Sequence, residues 1–376
     1  MMAQPYPINI PPAVLEDLKS RLAKTIWPGE LADAGWQYGA SEAFLRYLCQ
    51  YWQHEFDWEK QEAYLRTFSH FKTTIADSGI HFIHQKGAGK NSLPVLLIHG
   101  FPDSFVRFLK IIPLLTSADA DGFSFDVVVP SIPGFGFSDK PVEPGMHPER
   151  IAGLFAKLMA EELGYTSFLV HGGDWGSTIT EQIALKHPQL LKGIHLTDVP
   201  FRHLLNMPQE QLSPAETDYL SRGKQWQQQE GAYAAIQSTK PQSLAYGMTD
   251  SPAGLAAWII EKFQSWSDCN GNLENSFTKD ELLTNLTIYW ATQTIPSALG
   301  IYYQAMHAPP SPFRKIDIPT AMAIFPKDLV PAPREYAEKV FAIEQWTQMP
   351  AGGHFTAMEQ PELLADDLRK FAKTLR

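Results

Sequence analysis

The chain has 376 residues, 44% of them hydrophobic, enough for one large α/β core carrying an insertion or for two domains. A net charge of −10 with no Lys/Arg block excludes nucleic acid as a partner. The longest apolar run, Leu93 to Ile98, is too short to span a bilayer, and the proline-rich stretch Met1 to Pro12 lacks a basic n-region and an apolar h-region, so no signal peptide is expected. Cys49 and Cys269 lie far apart with no metal-ligand spacing around them, which reads as free or buried thiols in a reducing, cytoplasmic setting.

Residues 1–90 read as a meander and first hairpin that wrap the core. Val14 to Leu22, Ser41 to Trp52 and Trp58 to Thr67 have helical periodicity, with Phe44, Tyr47, Leu48, Tyr51 and Trp52 on one face. Phe71–Ile75 and Ile80–His84, split by Asp77-Ser78-Gly79, read as a β-hairpin. His81 and His84 sit three apart on a strand and therefore face opposite sides, which argues against a metal pair.

Over 91–200 the rhythm is strand, turn, helix. Val95–Ile98, Asp126–Val129, Phe168–Val170 and Gly193–Leu196 are apolar strands, and Ile151–Leu163 is an amphipathic helix. Strands buried on both faces and alternating with helices mean a mostly parallel sheet. Functional residues of such sheets gather beyond the carboxyl ends of the strands, where His99, Ser131, Asp174 and Thr197-Asp198 fall. Residues 201–305 break the rhythm and read as a helical, aromatic-rich cap. Residues 306–376 restore it, with a strand at Thr320–Phe325, a helix at Ala332–Val340, a strand near Gln345–Met349 and a last helix at Pro361–Leu375.

The run Phe168-Leu-Val-His-Gly172-Gly173-Asp174-Trp175-Gly176-Ser177 is a strand entering a glycine-rich turn before a helical pattern from Thr178 to Lys186. Gly172-x-Asp174-x-Gly176 has the spacing of a nucleophile elbow, with Asp in place of Ser. A carboxylate there attacks strained or activated sp3 carbon and forms an ester, chemistry unsuited to acyl transfer. In chain order a histidine should follow near the end, and His354, on Ala351-Gly352-Gly353-His354-Phe355, meets that requirement. Asp328, beyond Phe325-Pro326-Lys327, is the expected acid that orients the imidazole; Asp198 is the rival. The backbone N–H groups of Trp175 and of Phe101, in His99-Gly100-Phe101-Pro102, are the expected oxyanion hole.

Together these motifs resemble the epoxide hydrolases of the microsomal type, over nearly the whole chain. The cap carries the most specific likeness. Gly231-Ala-Tyr233-Ala-Ala-Ile-Gln-Ser-Thr-Lys-Pro241 looks like the family's first tyrosine segment, and Tyr302, with Tyr303 beside it, matches the second. Ser297-Ala298-Leu299-Gly300 departs from the family's Ser-Ser-x-Arg, and Asp328 stands where vertebrate relatives carry Glu. The resemblance implies an α/β-hydrolase fold and an enzyme that turns an apolar epoxide and water into a vicinal diol through an ester on Asp174. It gives Tyr233 and Tyr302 the epoxide oxygen, requires no metal or organic cofactor, and brings detoxification as the associated role. The membrane anchor of the vertebrate relatives is a further departure and is not expected here, and the resemblance leaves room for a homodimer. A haloalkane dehalogenase also uses an elbow Asp followed by Trp but needs halide donors where the tyrosines stand. A non-catalytic, ligand-binding homologue would have no use for Asp, Asp and His together.

Overall fold

Leu96, Leu97, Ile98, Leu169 and Val170 are fully buried, and their strands form the centre of a nine-stranded sheet covered on both faces. The computed structural model describes residues 3–206, 211–309 and 313–375; residues 207–210 of the expected cap, 310–312 of the second core part, Met1, Met2 and Arg376 lie outside them. The strands are β1 (Gln4–Pro5), β2 (His70–Ile75), β3 (Ser78–Gln85), β4 (Asn91–Ile98), β5 (Phe123–Pro130), β6 (Phe168–Gly172), β7 (Leu191–Leu196), β8 (Ile316–Ile324) and β9 (Phe341–Gln348). Their order is β1-β2-β3-β5-β4-β6-β7-β8-β9. β1, β2 and β3 pair antiparallel, as β3 does with β5; from β5 to β9 every pairing is parallel.

Register aligns the loops that matter. Ile98 lies opposite Gly172, and Gly172 opposite Leu196, so the turns after β4, β6 and β7 open at the same level. Ile324 lies opposite Gln348, and an isolated bridge between Lys327 and Gly353 ties together the loops that follow β8 and β9.

The expected strands are all present; they start earlier than the apolar runs alone indicated or at the same level, but β8 stops at Ile324 and β9 at Gln348, one residue short of the expected Phe325 and Met349. β9 begins at Phe341 rather than near Gln345, because the helix Arg334–Val340 passes directly into it and Phe341 is buried. The helix expected to begin at Ile151 starts at Pro148, whose fixed φ suits a first helical turn, and it ends in a π-helical turn at Leu158–Glu162. His81 and His84 part as expected. His81 hydrogen-bonds His70 (3.0 Å) and Ser131 (2.9 Å), whereas His84 meets Tyr165 (2.9 Å).

Among the described residues no strand lies between Leu196 and Ile316; helices fill that cap segment. The N-terminal helices Pro12–Ala23, Glu42–His54 and Trp58–Leu65 lie against it. The Trp52 indole N–H donates to Thr287 Oγ1 (2.9 Å), the Tyr51 hydroxyl to Asp280 Oδ1 (2.8 Å), and the Gln61 amide to Asp280 Oδ2 (3.0 Å). The meander thus braces the cap from outside while β1 extends the sheet edge. No helix among the described residues is long and apolar enough to cross a membrane.

Trp52 is 1% exposed and loses both packing and a buried hydrogen bond if truncated. Trp52→Ala should cost about 3–5 kcal/mol, the range for large aromatic truncations in cores. Urea unfolding reads it as a lowered midpoint; an unchanged midpoint would show that the meander does not brace the cap.

Candidate active site

Asp174 sits at the head of the helix Trp175–Lys186 with φ 57° and ψ −127°, a conformation that non-glycine residues rarely adopt. The helix reaches the sheet closely because its first turn is small: a Cβ at Gly176 would stand 2.0 Å from the Ile98 carbonyl oxygen. The neighbouring loop is equally tight, since a Cβ at Gly100 would lie 2.2 Å from Asp174 Oδ1. These two approaches put the Asp174 carboxylate between two peptide N–H groups. Phe101 N donates to Oδ1 at 2.8 Å and Trp175 N donates to the same oxygen at 2.6 Å.

The second carboxylate oxygen faces the imidazole. His354 Nε2 lies 3.4 Å from Asp174 Oδ2, and His354 Nδ1 donates to Asp328 Oδ1 at 2.7 Å. Asp328 and His354 come from the two loops joined by the Lys327–Gly353 bridge. Burial alone would lower the His354 imidazolium, but Asp328 and Asp174 outweigh it and raise it to about 10. Burial likewise opposes the Asp174 charge, yet His354 and the N–H groups of Phe101 and Trp175 hold that carboxyl below its ordinary range. The resting site is an imidazolium flanked by two carboxylates.

Tyr233, on the helix Ala232–Thr239, and Tyr302, on the helix Ile295–Met306, meet edge to face with ring centroids 5.8 Å apart. Both are buried. Burial first, then the Asp174 charge for Tyr233 and the Tyr233 and Asp174 charges for Tyr302, push both phenols far above their usual value. Tyr302 also packs on Trp175 (4.8 Å) and Phe101 (5.6 Å). Tyr303, by contrast, is 38% exposed and stacks on His307. Of Tyr233, Tyr302 and Tyr303, the first two are therefore the ones buried within reach of the Asp174 charge.

Two residues placed at strand ends stay apart from this cluster. Ser131 is taken by His81, and His99 bonds the Gly100 carbonyl and accepts from Ile132 N. Other contributors carried no motif. Arg107 is buried, pairs with Asp103, and donates to the His354 carbonyl (3.2 Å), while Asp103 Oδ1 accepts from Gly100 N (3.1 Å). The four peptide N–H groups from Gly352 to Phe355 are all engaged: Gly352 with Asp268 Oδ2, His354 with the Trp266 carbonyl, and Gly353 and Phe355 with the Glu359 carboxylate. Asp268 N donates to Glu359 as well (2.7 Å). A Glu five residues past a Gly-Gly-His turn is a weak clue in sequence; the cap residues that complete the arrangement give none.

A parallel sheet with an acid at a strained strand–helix turn, a histidine after the last strand and a second acid after the strand before it defines the α/β-hydrolase class. A family model described as "alpha/beta hydrolase fold" matches residues 94–361, and one described as "Epoxide hydrolase N terminus" matches residues 3–108. The chain is 35% identical to Epoxide hydrolase 1 of Sus scrofa, covering 98% of this chain and 88% of that one. It is 36% identical to Juvenile hormone epoxide hydrolase 2 of Ctenocephalides felis, over 97% and 84%. The crystal structure of juvenile hormone epoxide hydrolase from the silkworm Bombyx mori superposes with a TM-score of 0.87 at 31% identity, covering 100% of this chain and 94% of that one. The chain belongs to the epoxide hydrolases, and it is a hydrolase enzyme of that family.

Removing one flanking carboxylate should be visible directly. In Asp174→Asn the His354 pKa should fall from about 10 toward its ordinary value, because Asp328 alone is left to oppose burial. Histidine nitrogen NMR across a pH titration measures it; an unmoved titration would mean that Asp174 does not act on the imidazolium.

Proposed function

We propose that Asp174 is the nucleophile of a two-step epoxide hydrolysis, His354 its general base, Asp328 the acid that orients the base, and Tyr233 and Tyr302 the donors to the epoxide oxygen. The observation that carries this reading is the division of labour on Asp174. One oxygen is held by two N–H groups and the other faces His354 Nε2 without a hydrogen bond to it.

In the first step Oδ2 attacks an oxirane carbon. The new C–O bond forms as the ring C–O bond breaks, and a phenol protonates the departing alkoxide. High phenol pKa values keep both hydroxyls protonated until that moment. Oδ1 becomes the ester carbonyl oxygen and stays on the N–H groups of Phe101 and Trp175, the oxyanion hole of the second step. Esterification removes the Asp174 charge, so His354 loses one of the two carboxylates that held its proton. The proton it releases balances the one taken from the phenol. Neutral His354 then takes a proton from water, the hydroxide adds to the ester carbonyl carbon, and cleavage of the Cγ–Oδ2 bond expels an alkoxide that takes the proton of the added hydroxyl, so that the diol leaves and the Asp174 carboxylate stands again beside protonated His354. No metal or organic cofactor enters these steps.

The aromatic walls formed by Phe101, Trp175, Trp266 and the two tyrosines support an apolar epoxide as substrate. The unpaired, buried Cys49 and Cys269 support a reducing, cytoplasmic setting, and detoxification of apolar epoxides is the role that fits this chemistry.

His354→Gln should form the ester and fail to hydrolyse it, because alkylation needs no base. Intact-mass spectrometry after mixing with styrene oxide should show protein plus one epoxide; a normal rate of consumption with no adduct would remove His354 from the role. In wild type, a single turnover in heavy-oxygen water should give a first diol whose new oxygen is unlabelled, since it comes from Asp174. Asp174→Ala should give no diol at all.

Tyr233→Phe or Tyr302→Phe alone should retain partial activity, because one phenol still meets the oxygen. The double change should remove roughly 10² to 10⁴ in the rate of ester formation, the scale of general-acid assistance. Stopped-flow tryptophan fluorescence separates the two steps. A loss confined to ester hydrolysis would place the tyrosines elsewhere in the mechanism.

A further inference from the structure

Asp198 follows β7 and bonds the nucleophile's backbone rather than the imidazole. Asp174 N donates to Asp198 Oδ1 at 2.9 Å. Ser177 Oγ lies 2.7 Å from the Asp174 carbonyl oxygen and 2.7 Å from Asp198 Oδ2. A serine hydroxyl has one proton, and a carbonyl oxygen only accepts. With Asp198 ionised, one of these two short oxygen pairs would have no proton between its members. With Asp198 protonated, both are satisfied: the acid donates to Ser177 Oγ, and Ser177 donates to the carbonyl.

We propose that Asp198 is a positioning residue that works as a neutral carboxylic acid, closing a ring of three hydrogen bonds on both backbone groups of Asp174. The ring runs from Asp174 N–H to Asp198, from Asp198 to Ser177, and from Ser177 to the Asp174 carbonyl. It clamps the one non-glycine residue of the described site that stands at positive φ, a strained conformation that survives only if the surroundings fix it. The inference rests on Asp174 being the nucleophile.

Of the charges around Asp198, Asp328 favours the neutral form and His354 opposes it. Asp328 faces it from the loop after β8, His354 from the loop after β9, Asp174 and Ser177 from the elbow, and Tyr219 from the cap helix Pro214–Gln229. The nearby cation Arg107 is engaged by Asp103. Burial, then the negative charge of Asp328, push the Asp198 carboxyl up to about 7. His354 Nδ1 is occupied by Asp328 and its Nε2 faces Asp174, so Asp198 is not the imidazole's hydrogen-bonding partner. The sign follows: below that pKa the ring is intact, and above it the ring loses its proton and the nucleophile loses its hold.

Asparagine reproduces the neutral acid, with a carbonyl oxygen for Asp174 N and an N–H for Ser177. The test compares wild type, Asp198→Ala and Asp198→Asn with styrene oxide, reading ester formation and ester hydrolysis separately from pH 5 to 9. Asp198→Ala should slow ester formation by about tenfold or more, the scale of a lost hydrogen bond to a charged or strained group. Asp198→Asn should recover most of that loss, and the alkaline fall in ester formation expected of wild type near neutrality should be absent from it. Infrared spectra at pH 6 should contain a protonated carboxyl band in wild type that Asp198→Asn lacks. If Asp198→Asn is as slow as Asp198→Ala and accumulates ester, Asp198 works as an anion beside His354 and the proposal is overturned. An alkaline fall retained in Asp198→Asn, or absent from wild type, overturns it too, even where Asp198→Ala fails to fold. If wild type forms no ester on Asp174, the fault lies with the nucleophile assignment, and the infrared band still decides the state of Asp198.

Discussion

A carboxylate buried among aromatic rings must be kept charged to be of use, and the site is arranged around that constraint. Burial would neutralise Asp174; an imidazolium and two peptide N–H groups reverse the effect. The N–H groups come from two chain segments whose approach depends on glycine at positions 100 and 176. The imidazolium owes much of its charge to Asp328, so an acid two strands away stabilises the Asp174 charge through the histidine. Because each charge is the counter-ion of the next, removing one changes the protonation of its neighbour. In the mechanism proposed above, esterification of Asp174 is that removal, and the change of step follows from the electrostatics of the resting state.

Much of this was legible in the sequence, for identifiable reasons. The central strands announce themselves because both faces are buried, so polarity cannot alternate along Val95–Ile98 or Phe168–Val170. The elbow is visible because a tight strand–helix turn admits few residue types. Asp174, His354 and Asp328 are ordered along the chain as the strands are ordered in the sheet. Tyr233 and Tyr302 were found through resemblance, since nothing in a helical tyrosine tells which way it points. Tyr303, one residue along, is equally tyrosine and faces outward.

What the sequence hid consists of polar contacts between distant segments. Arg107 joins the Gly100 loop to the His354 loop through Asp103, and neither residue lies in a motif that requires it. Asp198 looked like a rival for the histidine because it occupies a strand end, but hydrogen-bond accounting around Ser177 turns it toward the backbone. The meander packs on the cap as well as on itself: the Trp52 indole N–H donates to Thr287 across 235 positions of sequence. Strand ends drifted for a simpler reason. Pairing with a neighbour, rather than side-chain polarity, decides where a ladder stops.

The knitting of the His354 loop to Trp266 and Asp268 bears on how this scaffold diversifies. Two of the loop's peptide N–H groups are satisfied by the cap, and a third contact runs back from Asp268 N to Glu359. Trp266 also packs at a tilt on Tyr233 and meets His354 edge to face. A cap exchanged as a module with a relative's would arrive without its matching carboxylate, or leave behind peptide groups with no acceptor. Recombination between family members therefore has a natural grain. Crossovers that carry residues 266–268 together with 352–359 preserve the joint, and crossovers between them sever the His354 loop from the helices packed on it.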